Sequence, residues 1–133
     1  MTLGEKQRIF TWNIHLLIEF AYKQGFQLSF GEVYRTLEQQ KIYFQTGRSK
    51  TMNSLHLKRL AVDFNFFKDG RMLFQDAARY SEDVMLLKPV GDYWISLNTD
   101  NRWGADWDKD GNPLNDKFRD PYHFEMQDNS TIV

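Results

Sequence analysis

The stretch "SLHLKRLAVDFNFFKDG", Ser54 to Gly70, decides the reading of the fold. From Leu60 onward it alternates. Leu60, Val62, Phe64 and Phe66 fall on one side, and Ala61, Asp63 and Asn65 on the other. Successive side chains of a strand point to opposite faces, so a period of two predicts a half-buried β-strand. Asp69-Gly70 follows, a pair suited to a tight hairpin turn, and "RMLF" would return as the next strand. Asp63 then sits on the polar face, seven residues after His56, which is one of three histidines in the chain. Taken alone, that spacing usually describes two surface residues rather than two parts of one metal site.

Outward from this stretch the pattern changes to helical. Residues 5 to 24 place Ile9, Trp12, Leu16 and Phe20 at three- and four-residue steps, which predicts an amphipathic helix with that stripe as its apolar face. Gly25 suits the position just past its end. "FQLSF" alternates as a short strand. Thr36 with Gln39 three residues later forms a capping box that opens a second helix, and Gly47 closes it. "GRSKTMN" is a polar loop. Two short helices are expected at 76–87 and 91–98, then a long Gly- and Asp-rich loop, "WGADWDKDGNPLND", and a closing strand in "PYHFEM". A hairpin-joined set of strands with helices in separate runs predicts an α+β fold with a small antiparallel sheet packed by helices.

Composition narrows the chemistry. The 133 residues are read as a single domain, 1–133, with 16% aromatic residues and a net charge of −1. That charge gives no whole-protein field for nucleic acid, and no stretch reaches the eighteen or so apolar residues of a membrane span. There is no cysteine. Disulfides, thiolate metal sites and a cysteine nucleophile are excluded, so a metal would be held by His, Asp or Glu. The N-terminus lacks the basic start, apolar run and small-residue cleavage site of a secretory signal, so the usual export route is not expected.

On the last strand His123 and Glu125 share a face, with Tyr122, Phe124 and Met126 on the other. If this strand neighbours that of Asp63, then Asp63 and His123 converge from the same side, and His56 folds over from the preceding loop. Two histidines and one carboxylate leave a fourth tetrahedral position for water, the arrangement of a catalytic zinc. Asp120, three residues before His123, would be the general base for that water.

These residues carry a resemblance. "SLHLKRLAVD" resembles the Ser-x-His-x-x-x-x-x-x-Asp element of zinc D-alanyl-D-alanine carboxypeptidases and their relatives the L-alanyl-D-glutamate peptidases, and "DPYHFEM" resembles the closing Asp/Glu-x-x-His element. "VYRTLEQQKIYFQTGRS" is similar to the segment holding that family's substrate-binding arginine, and "YWISLN…RWGADW" to a stretch of its short phage endolysins. The resemblance runs from residue 25 to 126. It implies the D-alanyl-D-alanine peptidase (Hedgehog-like) fold, His56, Asp63 and His123 as zinc ligands, and Asp120 as catalytic acid/base. It further implies Arg35 on a substrate carboxylate or the scissile carbonyl, and Ser54 as a hydrogen-bond partner near the metal. One departure is Arg59, where many relatives have glycine; an altered cleft rim is the expected effect.

Plainer uses stand beside these. Arg35 would serve as an exposed strand-end residue, Ser54 as a turn cap, and Glu125 either orients a histidine or faces solvent. His15 lies within the first helix and reads as structural. Trp94, Trp103 and Trp107 line a cleft or fill the core. The basic run Arg48, Lys50, Lys58 and Arg59 is solvated or meets an anionic wall polymer. Asp106, Asp108 and Asp110 before Gly111 begin a calcium-loop pattern, but Lys117 stands where an EF-hand needs glutamate. The two readings there are a looser Ca2+ site and a polar turn.

The resemblance implies a zinc (Zn2+) peptidase that cleaves the L-alanyl-D-glutamate bond of peptidoglycan, a phage endolysin. It would be a monomer made in the host bacterial cytoplasm, reaching the cell wall through a holin. A D-alanyl-D-alanine carboxypeptidase or dipeptidase is the runner-up, and a non-catalytic zinc module that recognises wall is the reading from another class. Asp120 speaks for the enzyme, since a purely structural site needs no base.

Overall fold

The computed structural model describes residues 1–129. Helix α1 spans Leu3–Lys23, strand β1 Gln27–Phe30, helix α2 Leu37–Gln45, strand β2 Ala61–Lys68, strand β3 Arg71–Met72, helix α3 Tyr80–Leu97, strand β4 Asn101–Trp103 and strand β5 His123–Met126. The fold is α+β, with every ladder antiparallel and the sheet ordered β1-β2-β5-β4, β3 pairing on β2.

Local chemistry accounts for most boundaries. The Thr2 hydroxyl accepts from the Glu5 amide to start α1, and Thr36 does the same for the Gln39 amide at the start of α2. Gly25 and Gly47 follow these helices at positive φ, +90° and +78°. Asp69 and Gly70 both take positive φ, as a two-residue hairpin with the twist of its strands requires.

Three sequence expectations fail. The buried stripe of α1 is Phe10, Ile14, Leu17 and Ala21, whereas Trp12 is 62% exposed. Both stripes have helical spacing, and the buried one sets Phe10 edge-on to Trp94 of α3, 5.6 Å between centroids. The expected pair of helices after residue 76 is a 3-10 turn, Ala77–Arg79, running into one continuous α3 through Pro89. The proline's missing N–H deprives the Met85 carbonyl, and Met85 lies on the exposed side of the helix rather than in the core. Strand β4 was not expected. It exists because its three residues pair with Met126, Glu125 and Phe124.

The apolar face of β2 shares one core with α1 and α3, a core rich in aromatic rings. Phe64, Phe66, Phe124, Trp94 and Trp103 are each at most 1% exposed. Trp94 satisfies its indole N–H on the Arg102 and Glu125 carbonyls, and Trp103 on the Pro121 carbonyl. The opposite, polar face of the sheet stays open. Among the described residues, no helix is long and apolar enough to cross a membrane.

Candidate active site

Strand β2 changes neighbours along its length. Ala61, Val62 and Asp63 pair with Glu125, Phe124 and His123 of β5, while Phe64 to Phe67 pair with β1. Asp63 lies at that seam. Its register partner is His123, and its backbone exchanges bonds with the loop after β1, through the Glu32 carbonyl at 2.8 Å and the Gly31 amide at 2.7 Å. A Cβ on Gly31 would stand 3.2 Å from that of Asp63, so the close passage favours glycine. The same loop reaches Arg35, whose amide donates to the His56 carbonyl.

His56 sits in a 3-10 turn, Leu55–Lys58, and its own amide donates to the capping Ser54 hydroxyl. The turn ends on Arg59 at φ 56°, a left-handed conformation that glycine adopts without cost. That is the physical meaning of the departure from the relatives' glycine. Arg59 does not line the cleft; its guanidinium lies 4.2 Å from the Tyr34 ring centroid, so the expected change to the rim is not seen.

His56 Nε2 lies 3.4 Å from one Asp63 carboxylate oxygen, and His123 Nδ1 lies 3.0 Å from the other. Ligand atoms of the three residues all fall within 4.8 Å of one another. The outer nitrogens fix the tautomers. His56 Nδ1 is 3.2 Å from the Val33 carbonyl and His123 Nε2 is 2.8 Å from Glu125, so with a metal bound each ring would donate outward and turn a lone pair inward. Glu125 is gripped by the Arg102 guanidinium. This donor set, two imidazole nitrogens and a carboxylate converging on one point, fits a borderline divalent metal such as zinc.

Without a cation the charges compensate one another. Burial raises the Asp63 carboxyl, but hydrogen bonds from His123 and His56 more than offset this and hold it well below the usual carboxylate range. Burial lowers the His123 imidazole, yet its bonds to Asp63 and Glu125 prevail and lift it to about 9. Asp120 is pushed up by burial, with His123 drawing it down and Asp63 pushing it further up. It is held by Gly104, whose carbonyl accepts from the Asp120 amide at 2.8 Å and whose amide donates to the His123 carbonyl.

All of these open on one cleft of about 830 Å3, lined also by Arg35, Ser54, Trp107 and Phe118. Arg35 is largely consumed within the protein, with Nε on Glu32 and Nη1 on Gln40 and Ser54. Ser54 therefore both caps the His56 turn and touches Arg35. Trp107 packs 5.5 Å from the His123 ring, whereas Trp94 and Trp103 belong to the core. His15 is away from the site, on the surface of α1 beside Glu19. Lys58 turns outward to Asp128, while Arg48 and Lys50 line the cleft.

Asp106, Asp108 and Asp110 come together with a fourth carboxylate, Asp116. Sequence reasoning missed Asp116, along with Glu32, Gln40 and Arg102, because each becomes polar structure only through tertiary contact. Gln40 is wholly buried, although it lies in a helix whose other side chains are partly or fully exposed.

The sequence profile of the phage L-alanyl-D-glutamate peptidases matches residues 18–127. The chain belongs to that family. The matched span holds His56, Asp63 and His123, Asp120, Arg35 and the aspartate loop. The crystal structure of the L-Ala D-Glu endopeptidase ChiX of Serratia marcescens is also similar, at 21% identity and a TM-score of 0.49. That likeness covers 75% of this phage-peptidase-family chain and 66% of the other, just under two thirds. No curated protein matches significantly.

Proposed function

We propose that the chain is a zinc-dependent hydrolase of the L-alanyl-D-glutamate bond in peptidoglycan stem peptides, acting as a phage endolysin. The observation that carries this is the convergence of His56 Nε2, Asp63 and His123 Nδ1 beside Asp120 in one cleft. A zinc ion held there would supply Lewis-acid polarisation of the scissile carbonyl and a lowered pKa for water. Asp120 takes the proton from the attacking water and passes it to the leaving amine, a task suited to a carboxyl raised by burial. Glu125 fixes the His123 ring, and Arg35 offers its remaining Nη2 to a substrate carbonyl or carboxylate. Trp107 and Phe118 form an apolar wall that limits water. On this reading the protein is one domain and a monomer, made in the host cytoplasm and released to the wall by a holin.

The test is digestion of purified peptidoglycan with and without chelator, reading new termini by mass spectrometry. N-terminal D-glutamate is expected, whereas released D-alanine would shift the assignment to a carboxypeptidase. Protein that holds one zinc and cleaves nothing would sink the enzyme. Asp120→Ala should abolish turnover with zinc retained.

A second cation, calcium, is proposed at Asp106, Asp108, Asp110 and Asp116. Asp106 is 1% exposed, and both its Oδ1 and that of Asp116 are buried without a hydrogen-bond partner. Burial, and then the neighbouring Asp110 and Asp108 side chains, raise Asp106 to about 6 against a bond from the Gly111 amide; a cation would relieve that strain. Calorimetric titration of the zinc-loaded protein with Ca2+ should give one site that Asp106→Asn removes. No heat from the wild type would refute it.

A further inference from the structure

Two arginines of the cleft lie over one ring. The guanidinium carbons of Arg35 and Arg48 are each 4.8 Å from the Tyr43 centroid. Their situations differ. Arg35 has a carboxylate partner in Glu32 and neutral acceptors in Gln40 and Ser54. Arg48 lines the same cleft, but among the described residues its guanidinium has no carboxylate or other acceptor. Its position is nevertheless defined. Its amide donates to the Tyr43 carbonyl at 2.8 Å, just after Gly47 turns the chain at the end of α2, and the aromatic ring supports its plane. A cation held in place with all its donors unused is prepared for an anion from outside the chain.

The chemistry of the bond names that anion. A glutamate joined through its amine keeps two carboxyl groups, of which chain continuation uses one. When the chain continues through the γ-carboxyl, the free α-carboxylate is two bonds from the scissile nitrogen. We propose that Arg48 is the specificity-determining residue for this α-carboxylate, so that the cleft selects stem peptides with an acidic leaving residue over their α-amidated counterparts. The inference rests on the endopeptidase reading above. Arg35, neutralised by Glu32, is left to orient the peptide carbonyl. Lys50 and Lys117 also line the cleft, but each carries a single flexible ammonium with no ring beneath it.

The experiment compares zinc-loaded protein on two synthetic stem peptides that differ only in a free or amidated α-carboxyl on the D-glutamyl residue. Wild type should favour the free acid in kcat/KM by about tenfold or more, the scale of one charge-assisted hydrogen bond. Arg48→Gln should bring the ratio to within about twofold, mainly through KM on the acid, and Arg48→Lys should keep part of it. Lys41→Gln removes a charge from the outer side of α2 and should behave as wild type. Full preference in Arg48→Gln overturns the proposal, as does its loss in Lys50→Gln or Lys117→Gln alone. A wild type that cleaves both peptides equally also overturns it and leaves the endopeptidase standing. Cleavage of neither peptide defeats both.

Discussion

At the scale of single residues, the site is built from a few inward lone pairs and the groups that aim them. Glu125 shows the logic. Its charge sits behind His123, and Arg102 holds it in turn, so the imidazole has one orientation. Glu125→Gln keeps the shape but removes the charge, and zinc affinity should fall about 10- to 100-fold, as for other partners behind metal-binding histidines. Competition with a chromophoric chelator measures this; unchanged affinity would make Glu125 a bystander. Arg59 gives a different residue-scale prediction. A left-handed non-glycine residue costs roughly 1–2 kcal/mol, and the contact with Tyr34 returns about 0.5–1. Adding the extra unfolded-state freedom of glycine, Arg59→Gly should change stability by no more than about 1 kcal/mol. Arg59→Val, branched at Cβ, should be clearly destabilised in denaturant titration. A loss above about 2 kcal/mol in Arg59→Gly would show that the Tyr34 contact governs the turn.

Elements explain what the sequence could and could not tell. Strand β2 was legible because a period of two is local, and its polar member Asp63 pointed to the site face. The turn residues and caps were legible for the same reason. The buried face of α1 was not, since Ile9, Phe10, Trp12, Ile14, Leu16 and Leu17 leave several apolar stripes, and only packing on α3 chooses one. Strand β4 has too few residues to show a period, and its strand character comes from β5. The convergence of His56, Asp63 and His123 was foreshadowed by their spacing, while Gln40, Arg102 and Asp116 carry no spacing signal. Between β4 and β5, Gly104 locks the Asp120–His123 turn. A Cβ there would lie 2.0 Å from the Asp120 carbonyl oxygen and 3.1 Å from the His123 Cβ. Backbone atoms cannot yield as a flexible side chain does. Gly104→Ala should therefore lower kcat by on the order of 100-fold, as a misplacement near 1 Å does, and weaken zinc binding with it. Wild-type turnover in a folded Gly104→Ala protein would mean that this turn does not position Asp120.

On the scale of the whole molecule, α3 and the β2–β3 hairpin are tied by a buried carboxylate outside the cleft lining. Asp83 of α3 is fully buried; it takes two bonds from Arg71 of β3, at 2.8 and 3.1 Å, and one from the Phe74 amide at 3.0 Å. Phe74 is held at a positive φ of 68°, so this carboxylate also pins the strained connection between β3 and α3. The Arg71 hydrogen bond, opposed by burial and aided by the Phe74 amide, holds the Asp83 carboxyl below its ordinary value of 3.8. The sign follows from linkage. A carboxylate with a depressed folded pKa binds protons more weakly than in the unfolded chain, so its stabilisation is complete above the unfolded pKa and vanishes as pH falls through the folded one. Protonation of the His56, Asp63 and His123 group in acid would mask this in a single melting curve, but it affects wild type and Asp83→Asn alike and cancels in their difference, the two sites sharing no partners. Wild type should melt several degrees above Asp83→Asn at pH 7, and the gap should narrow steadily below about pH 4. A gap that stayed constant or widened in acid would show that Asp83 acts through shape alone, with no contribution from its charge.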